Sequence, residues 1–125
     1  MTLKEAINTC DGLRVNDYAE AEKIAWLSNL DGMIKKEIID CHEGSEQVTF
    51  SGYTAETPDN TELLVPEPYS DLYIKYLFAQ IDFNNAEFTR YNNSMVMFNY
   101  AYQQYADAYN RNHMPLQRNT FAASL

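Results

Sequence analysis

Between Tyr69 and Tyr109 the chain gathers twelve of its seventeen aromatic residues. Within this stretch Tyr73, Leu77, Ile81, Asn84, Phe88, Tyr91, Met95, Phe98, Tyr102, Tyr105 and Tyr109 follow one another at steps of three or four. At 3.6 residues per turn such steps fall on one side of a helix, so the sequence predicts a helical face that is broad and largely aromatic. A face of that size must be covered, either by the rest of a small chain or by another molecule. The phase runs unbroken from Tyr73 to Tyr109, which would make one helix of about 60 Å at 1.5 Å per residue. That is long for a domain of 125 residues. Tyr91-Asn92-Asn93-Ser94 supplies poor helix formers and a new N-cap, so two helices are predicted to meet there. His113-Met114-Pro115 ends the second, and Leu116 to Leu125 reads as an extended tail.

Upstream, Thr2-Leu3-Lys4-Glu5 has the form of a capping box, with Thr2 as N-cap and Glu5 three residues on. Leu3, Ile7 and Cys10 make a short amphipathic helix that stops at Asp11-Gly12. Asn16 or Asp17 then caps a longer one. Its stripe of Ile24, Leu27, Leu30, Ile34, Ile38 and Cys41 runs across Gly32 without losing phase and predicts a helix to about His42, ended by Glu43-Gly44. Trp26, Leu27, Leu30, Ile34 and Ile38 are expected to pack against Leu77, Ile81 and Phe88. Between these helical regions, Val48–Tyr53 and Thr61–Val65 are short β-prone runs flanking the turn-rich, acidic 55–60. Pro66-Glu67-Pro68 and Asp71 suit the start of the next helix. The fold class predicted is mainly α. It is a small bundle of about four helices, with a short β-hairpin or extended excursion at 45–65 between the second and third long helices. Residues 1–114 form one helical domain and 115–125 a C-terminal tail.

The net charge is −9, with nine basic residues scattered along the chain. Tight binding of duplex DNA rests on Lys and Arg neutralising phosphates, so this composition argues against it. The acidity is uneven, −8 over residues 1–65 and −1 over 66–125. No segment approaches the roughly 20 apolar residues of a membrane helix. Met1-Thr2-Leu3-Lys4-Glu5 opens no signal-peptide pattern, and the two cysteines, Cys10 and Cys41, read as buried thiols and not as a disulfide framework. The expectation is a soluble protein made inside the cell.

Asp40-Cys41-His42-Glu43 is where metal-ligand types cluster. Adjacent helical residues point about 100° apart and cannot converge on one ion, so a helix end is the simpler reading, with Cys41 buried and His42 near the last carbonyls. A small enzyme using Cys41 or His42 would need a concave pocket around them, and neither His42 nor His113 lies in a recognisable catalytic motif. No catalytic residue, metal or cofactor is expected. The tyrosines could stack bases of a single strand, but Lys75, Arg90 and Arg111 are too sparse for a basic groove. A partly wet packing surface or subunit interface suits them better.

Ala25-Trp26-Leu27-Ser28-Asn29-Leu30-Asp31-Gly32 and Leu64-Val65-Pro66-Glu67-Pro68-Tyr69-Ser70-Asp71-Leu72-Tyr73 resemble segments of small proteins encoded in the head and tail gene blocks of Firmicute prophages. So do Tyr91-Asn92-Asn93-Ser94-Met95-Val96-Met97-Phe98-Asn99 and Tyr109-Asn110-Arg111. Over about residues 1–115 the chain is similar to the head–tail connector (adaptor) family of tailed bacteriophages. The resemblance implies a structural subunit that forms a homo-oligomeric ring beneath the portal protein and extends the DNA channel. DNA would pass without being specifically bound, neighbouring connector or tail subunits would dock below, and no membrane would be involved. It places the chain at the head–tail junction of the virion, after synthesis in the bacterial host cytoplasm. The isolated chain would be monomeric, with the 45–65 segment and the tail gaining partners on docking. Candidate contact residues are Phe50 and Tyr53 in the excursion, Tyr105 and Tyr109 on the last helix, and Leu116, Phe121 and Leu125 in the tail. The alternative is a small helical module that binds a host protein and regulates it without catalysis. Such a module would bury its aromatic face internally.

Overall fold

A computed structural model describes residues 1–116 of the chain. Four helices form in the order α1 (Leu3–Leu13), α2 (Glu20–Glu37), α3 (Asp71–Asn84) and α4 (Phe88–Asn112), with 3-10 turns at Ile39–Cys41 and Ser45–Gln47. The mainly α class is as the sequence predicts. At the start of α1 the Thr2 hydroxyl accepts from the Glu5 N–H at 3.1 Å, and the Glu5 carboxylate accepts from the Thr2 N–H at 2.8 Å. Two donors that the first turn would leave unpaired are thereby satisfied by local sequence alone. Helix α2 opens later than expected, after Ala19, because Asn16 is occupied elsewhere. Its amide donates to Asp11 and its side-chain oxygen accepts the Tyr18 N–H, making a turn and not a cap.

Leu3, Ala6, Ile7 and Cys10 of α1, Leu27, Leu30 and Ile34 of α2, and Leu72, Tyr73, Leu77 and Ile81 of α3 are all buried in one core. The expected face of α2 against α3 is therefore present, with two corrections. Trp26 is half-buried against Tyr18, and Phe88 is largely exposed. Helix α4 makes its most extensive pairing with α3. At 1.5 Å per residue, the 25 residues of α4 outrun the 14 of α3 by about 16 Å. The overhang carries Tyr102, Tyr105 and Tyr109 past α3. There Tyr105 is buried beside Tyr69 and the Tyr102 hydroxyl reaches Glu37.

The break between α3 and α4 lies at 85–87, not at Tyr91-Asn92-Asn93-Ser94, which is helical. Ala86 takes φ +59°, its N–H donates to the Phe83 carbonyl, and the Glu87 N–H reaches back to the Asp82 carbonyl at 2.9 Å. Both bonds of a Schellman cap are formed, with alanine in the left-handed position usually held by glycine. Helix α2 also ends early, at Glu37, and tightens into the 3-10 turn at Ile39–Cys41.

The expected β-hairpin does not form, and the two β-prone runs do not pair with each other. Residues 48–70 instead cross the helices in irregular conformation, and their backbone is satisfied by partners distant in sequence. The Tyr53 N–H donates to the Ser28 hydroxyl at 3.0 Å. Thr61 accepts from the Leu3 N–H, and the Leu63 N–H donates to the Met1 carbonyl. Gly52 permits the crossing: its φ is +98°, and a Cβ there would lie 3.3 Å from the Ser28 hydroxyl. Leu63 and Val65 bury their side chains in the core, so the excursion is part of the domain.

Candidate interaction surface

Two carboxylates are sealed inside the bundle. Asp31, on α2, accepts the Tyr73 hydroxyl on Oδ1 at 2.6 Å, and on Oδ2 the Tyr53 hydroxyl at 2.5 Å and the Leu64 N–H at 3.1 Å. The Tyr73 hydroxyl in turn accepts the Val65 N–H at 2.8 Å. Burial raises the Asp31 pKa, and its three donors act against that rise. The same burial, reinforced by the Asp31 charge, raises both tyrosine hydroxyls above their ordinary value. All three side chains are buried, so the group pins the excursion to α2 and α3 and offers no open face to a substrate. Asp82, on α3, receives Nη1 of Arg14 at 2.7 Å on each oxygen and the Ser94 hydroxyl at 2.7 Å. It thereby ties the end of α1 and the second turn of α4 to α3.

The residues singled out for chemistry take structural places. Cys10 lies in the core, where burial, followed by the Asp11 charge, pushes its thiol up to about 11. Cys41 is exposed and His42 is buried, the reverse of the expectation for the cysteine. The 3-10 turn advances about 120° per residue where a helix advances 100°, which swings Ile39 and His42 inward and Cys41 outward. His42 Nδ1 donates to the Ile38 carbonyl at 2.6 Å, and Nε2 meets the Asn110 side-chain oxygen at 2.6 Å. With both nitrogens engaged, neither is free for Cys41. Among the described residues no three His, Cys, Asp or Glu side chains gather closely enough to hold a metal ion.

The candidate contact residues divide. Tyr53 and Tyr105 are buried within the chain, so they are core residues and not surface contacts. Phe50 is half-buried, edge-on to Tyr53, and Tyr109 is half-buried, stacked on His113 with centroids 3.8 Å apart. Leu116 is exposed, and its N–H donates to the Cys41 carbonyl. Phe121 and Leu125 lie outside the described residues.

The open apolar surface lies elsewhere. At the α3–α4 corner Phe83 packs on Phe88 and Tyr91, with centroids 6.2 and 5.3 Å away, yet Phe83 and Phe88 remain 52 and 58% exposed. Along the outer side of α4, Val96, Met97 and Tyr100 are 68, 54 and 67% exposed. Beside them a cleft of about 350 Å³ opens between α3, α4 and the end of α1, lined by Arg14, Lys75, Phe78, Arg90, Asn93, Ser94 and Met97. The sequence held a signal for the outer patch. Val96, Met97 and Tyr100 fall off the buried stripe of Met95, Phe98, Tyr102 and Tyr105 and had no inner face left to occupy.

Among the described residues no helix is long and apolar enough to cross a membrane. Set against models of known families, curated proteins and solved structures, the chain matches none of them.

Proposed function

We propose that this chain is a structural subunit of the head–tail junction of a tailed bacteriophage, working through assembly and not catalysis. In that role it forms a ring beneath the portal, extends the DNA channel and docks the next connector or tail component. The observation that carries the reading is the uncovered apolar side of α3 and α4, from the Phe83–Phe88–Tyr91 corner to Val96, Met97 and Tyr100. Large aromatic side chains clustered in the open, as at this corner, are typical of surfaces that another protein covers. The sequence resemblance over about residues 1–115 supplies the identity of the assembly. The charge of −9 suits a wall past which DNA slides without adhering.

The aromatic stripe is itself covered within the chain, with Tyr73, Phe98 and Tyr105 buried. An open patch would serve a host-protein-binding module as well, so the sequence resemblance is what sets assembly ahead of that alternative. The test is deletion of the gene in the phage or prophage that encodes it. DNA-filled heads and finished but unattached tails are expected by electron microscopy. Normal joined particles from the deletion strain would refute the reading, and altered host growth with intact particles would point to the regulator.

A further inference from the structure

Three of the nine basic residues of this acidic chain border the cleft between α1, α3 and α4. Arg14 stands at the end of α1, Lys75 on α3, and Arg90 in the first turn of α4. Arg14 spends only Nη1 on Asp82, while its Nε–H and Nη2 hydrogens make no hydrogen bond among the described residues. A guanidinium has five donors, so the fork retains capacity for a second carboxylate. Lys75 and Arg90 are paired with Asp71 at 2.9 Å and Glu87 at 3.5 Å, and both of those acids are exposed. Pairs of that kind are worth little in water and exchange readily for a better-placed anion. The rest of the cleft is mixed: Asn93 and Ser94 line it beside Met97 and the Phe78 ring, over which Arg14 lies 4.2 Å from the centroid.

We propose that this cleft receives an acidic segment of a partner protein. One Asp or Glu side chain would dock between Arg14 and Arg90, and a neighbouring large apolar side chain would rest on Met97. Charge complementarity selects the anion, because the spare donors of the Arg14 fork and the two weakly paired cations Lys75 and Arg90 face one opening. A protein and not a free small anion is favoured because Met97, which lines the cleft, is 54% exposed, an apolar surface that a small ligand would leave uncovered. A nucleic acid is disfavoured, since the cleft gathers its cations around one opening and offers no basic track for a run of phosphates. The chemistry of the cleft holds whatever assembly the chain belongs to.

The test uses the full chain, isotope-labelled, with a short peptide that alternates Glu with Leu and Phe. The acidic peptide should shift the arginine Nε–H resonances of Arg14 and Arg90 and bind more weakly as salt is raised. Lys75→Glu combined with Arg90→Glu should weaken binding at least about tenfold, since like charges now oppose the ligand. Arg111→Glu, on another part of α4, should leave binding unchanged. Unaltered circular dichroism would show that the charge-reversed chain is folded. Three results would overturn the proposal. One is equal binding of the peptide with Gln in place of Glu. Another is free glutarate matching the peptide at the same resonances, which would make this a small-anion site. The third is the same shifts on adding unlabelled chain, which would make the occupant a second copy.

Discussion

Replacing Tyr73 by phenylalanine removes one oxygen and two hydrogen bonds. The lost hydroxyl donates to Asp31 at 2.6 Å and accepts from the Val65 N–H at 2.8 Å, and all of these groups are buried. Losing a hydrogen bond to a charged group costs about 1.5–3 kcal/mol, and stranding a buried N–H adds about 1–3 kcal/mol. The ring itself stays, so no large cavity opens. The expected loss is about 3–5 kcal/mol. Tyr53→Phe removes only the first kind of bond, because the Tyr53 hydroxyl bonds Asp31 alone. Its loss should be about 1.5–3 kcal/mol. Urea unfolding of the two variants side by side isolates the cost of the orphaned Val65 N–H.

The pH dependence has a definite sign. Burial already raises Asp31 in the folded state, and removing a donor from the carboxylate raises it further. The folded variant then holds its proton to a higher pH than the folded parent. The deficit of Tyr73→Phe should therefore be smallest below the unfolded carboxyl value of about 3.9 and grow as pH rises through the folded range. Equal losses for Tyr73→Phe and Tyr53→Phe, or a deficit that shrinks as pH rises, would refute the account of this network.

Arg14→Leu leaves the buried Asp82 carboxylate without its cation and should cost about 3 kcal/mol or more. Adding Asp82→Asn should recover a large part of that loss in a double-mutant cycle by chemical denaturation. Ala86→Gly should stabilise the chain by about 0.5–1 kcal/mol, because relief of the left-handed strain exceeds the entropy glycine adds to the unfolded chain. A lower thermal midpoint for that variant would contradict the cap described for α3. Leu30→Ala, at a fully buried site on α2, should cost about 2–5 kcal/mol by urea melt, against almost nothing for the exposed Lys36→Ala.

What the sequence made legible was local. The capping box at Thr2 and Glu5 needs four consecutive residues, and the stripe Leu27, Leu30, Ile34 needs two turns of helix, so both could be read from spacing. The α3–α4 junction could not. Its left-handed residue is Ala86, a strong helix former, and the apolar phase continues across the gap. Asn92, Asn93 and Ser94 were the more conspicuous breakers, but Ser94 faces Asp82 from within α4 and is held there by its hydroxyl.

The β-prone runs at 48–53 and 61–65 were misleading for a related reason. Val, Phe, Tyr and Leu there are selected for burial against helices, and their backbone partners are Met1, Leu3, Ser28, Asp31 and Tyr73. No local pattern announces such partners. The candidate surface suffered the same limit, since Tyr53 and Tyr105 look like contact residues until the network around Asp31 and the overhang of α4 draw them inside.

Cryo-electron microscopy of intact virions from the encoding phage tests the assignment most directly. The account predicts density for this chain in a ring between the portal and the tail, with the Phe83–Phe88–Tyr91 corner and the outer side of α4 covered by protein. Joined virions with no copy of the chain at that vertex, or copies whose α4 face stays open to solvent, would contradict it.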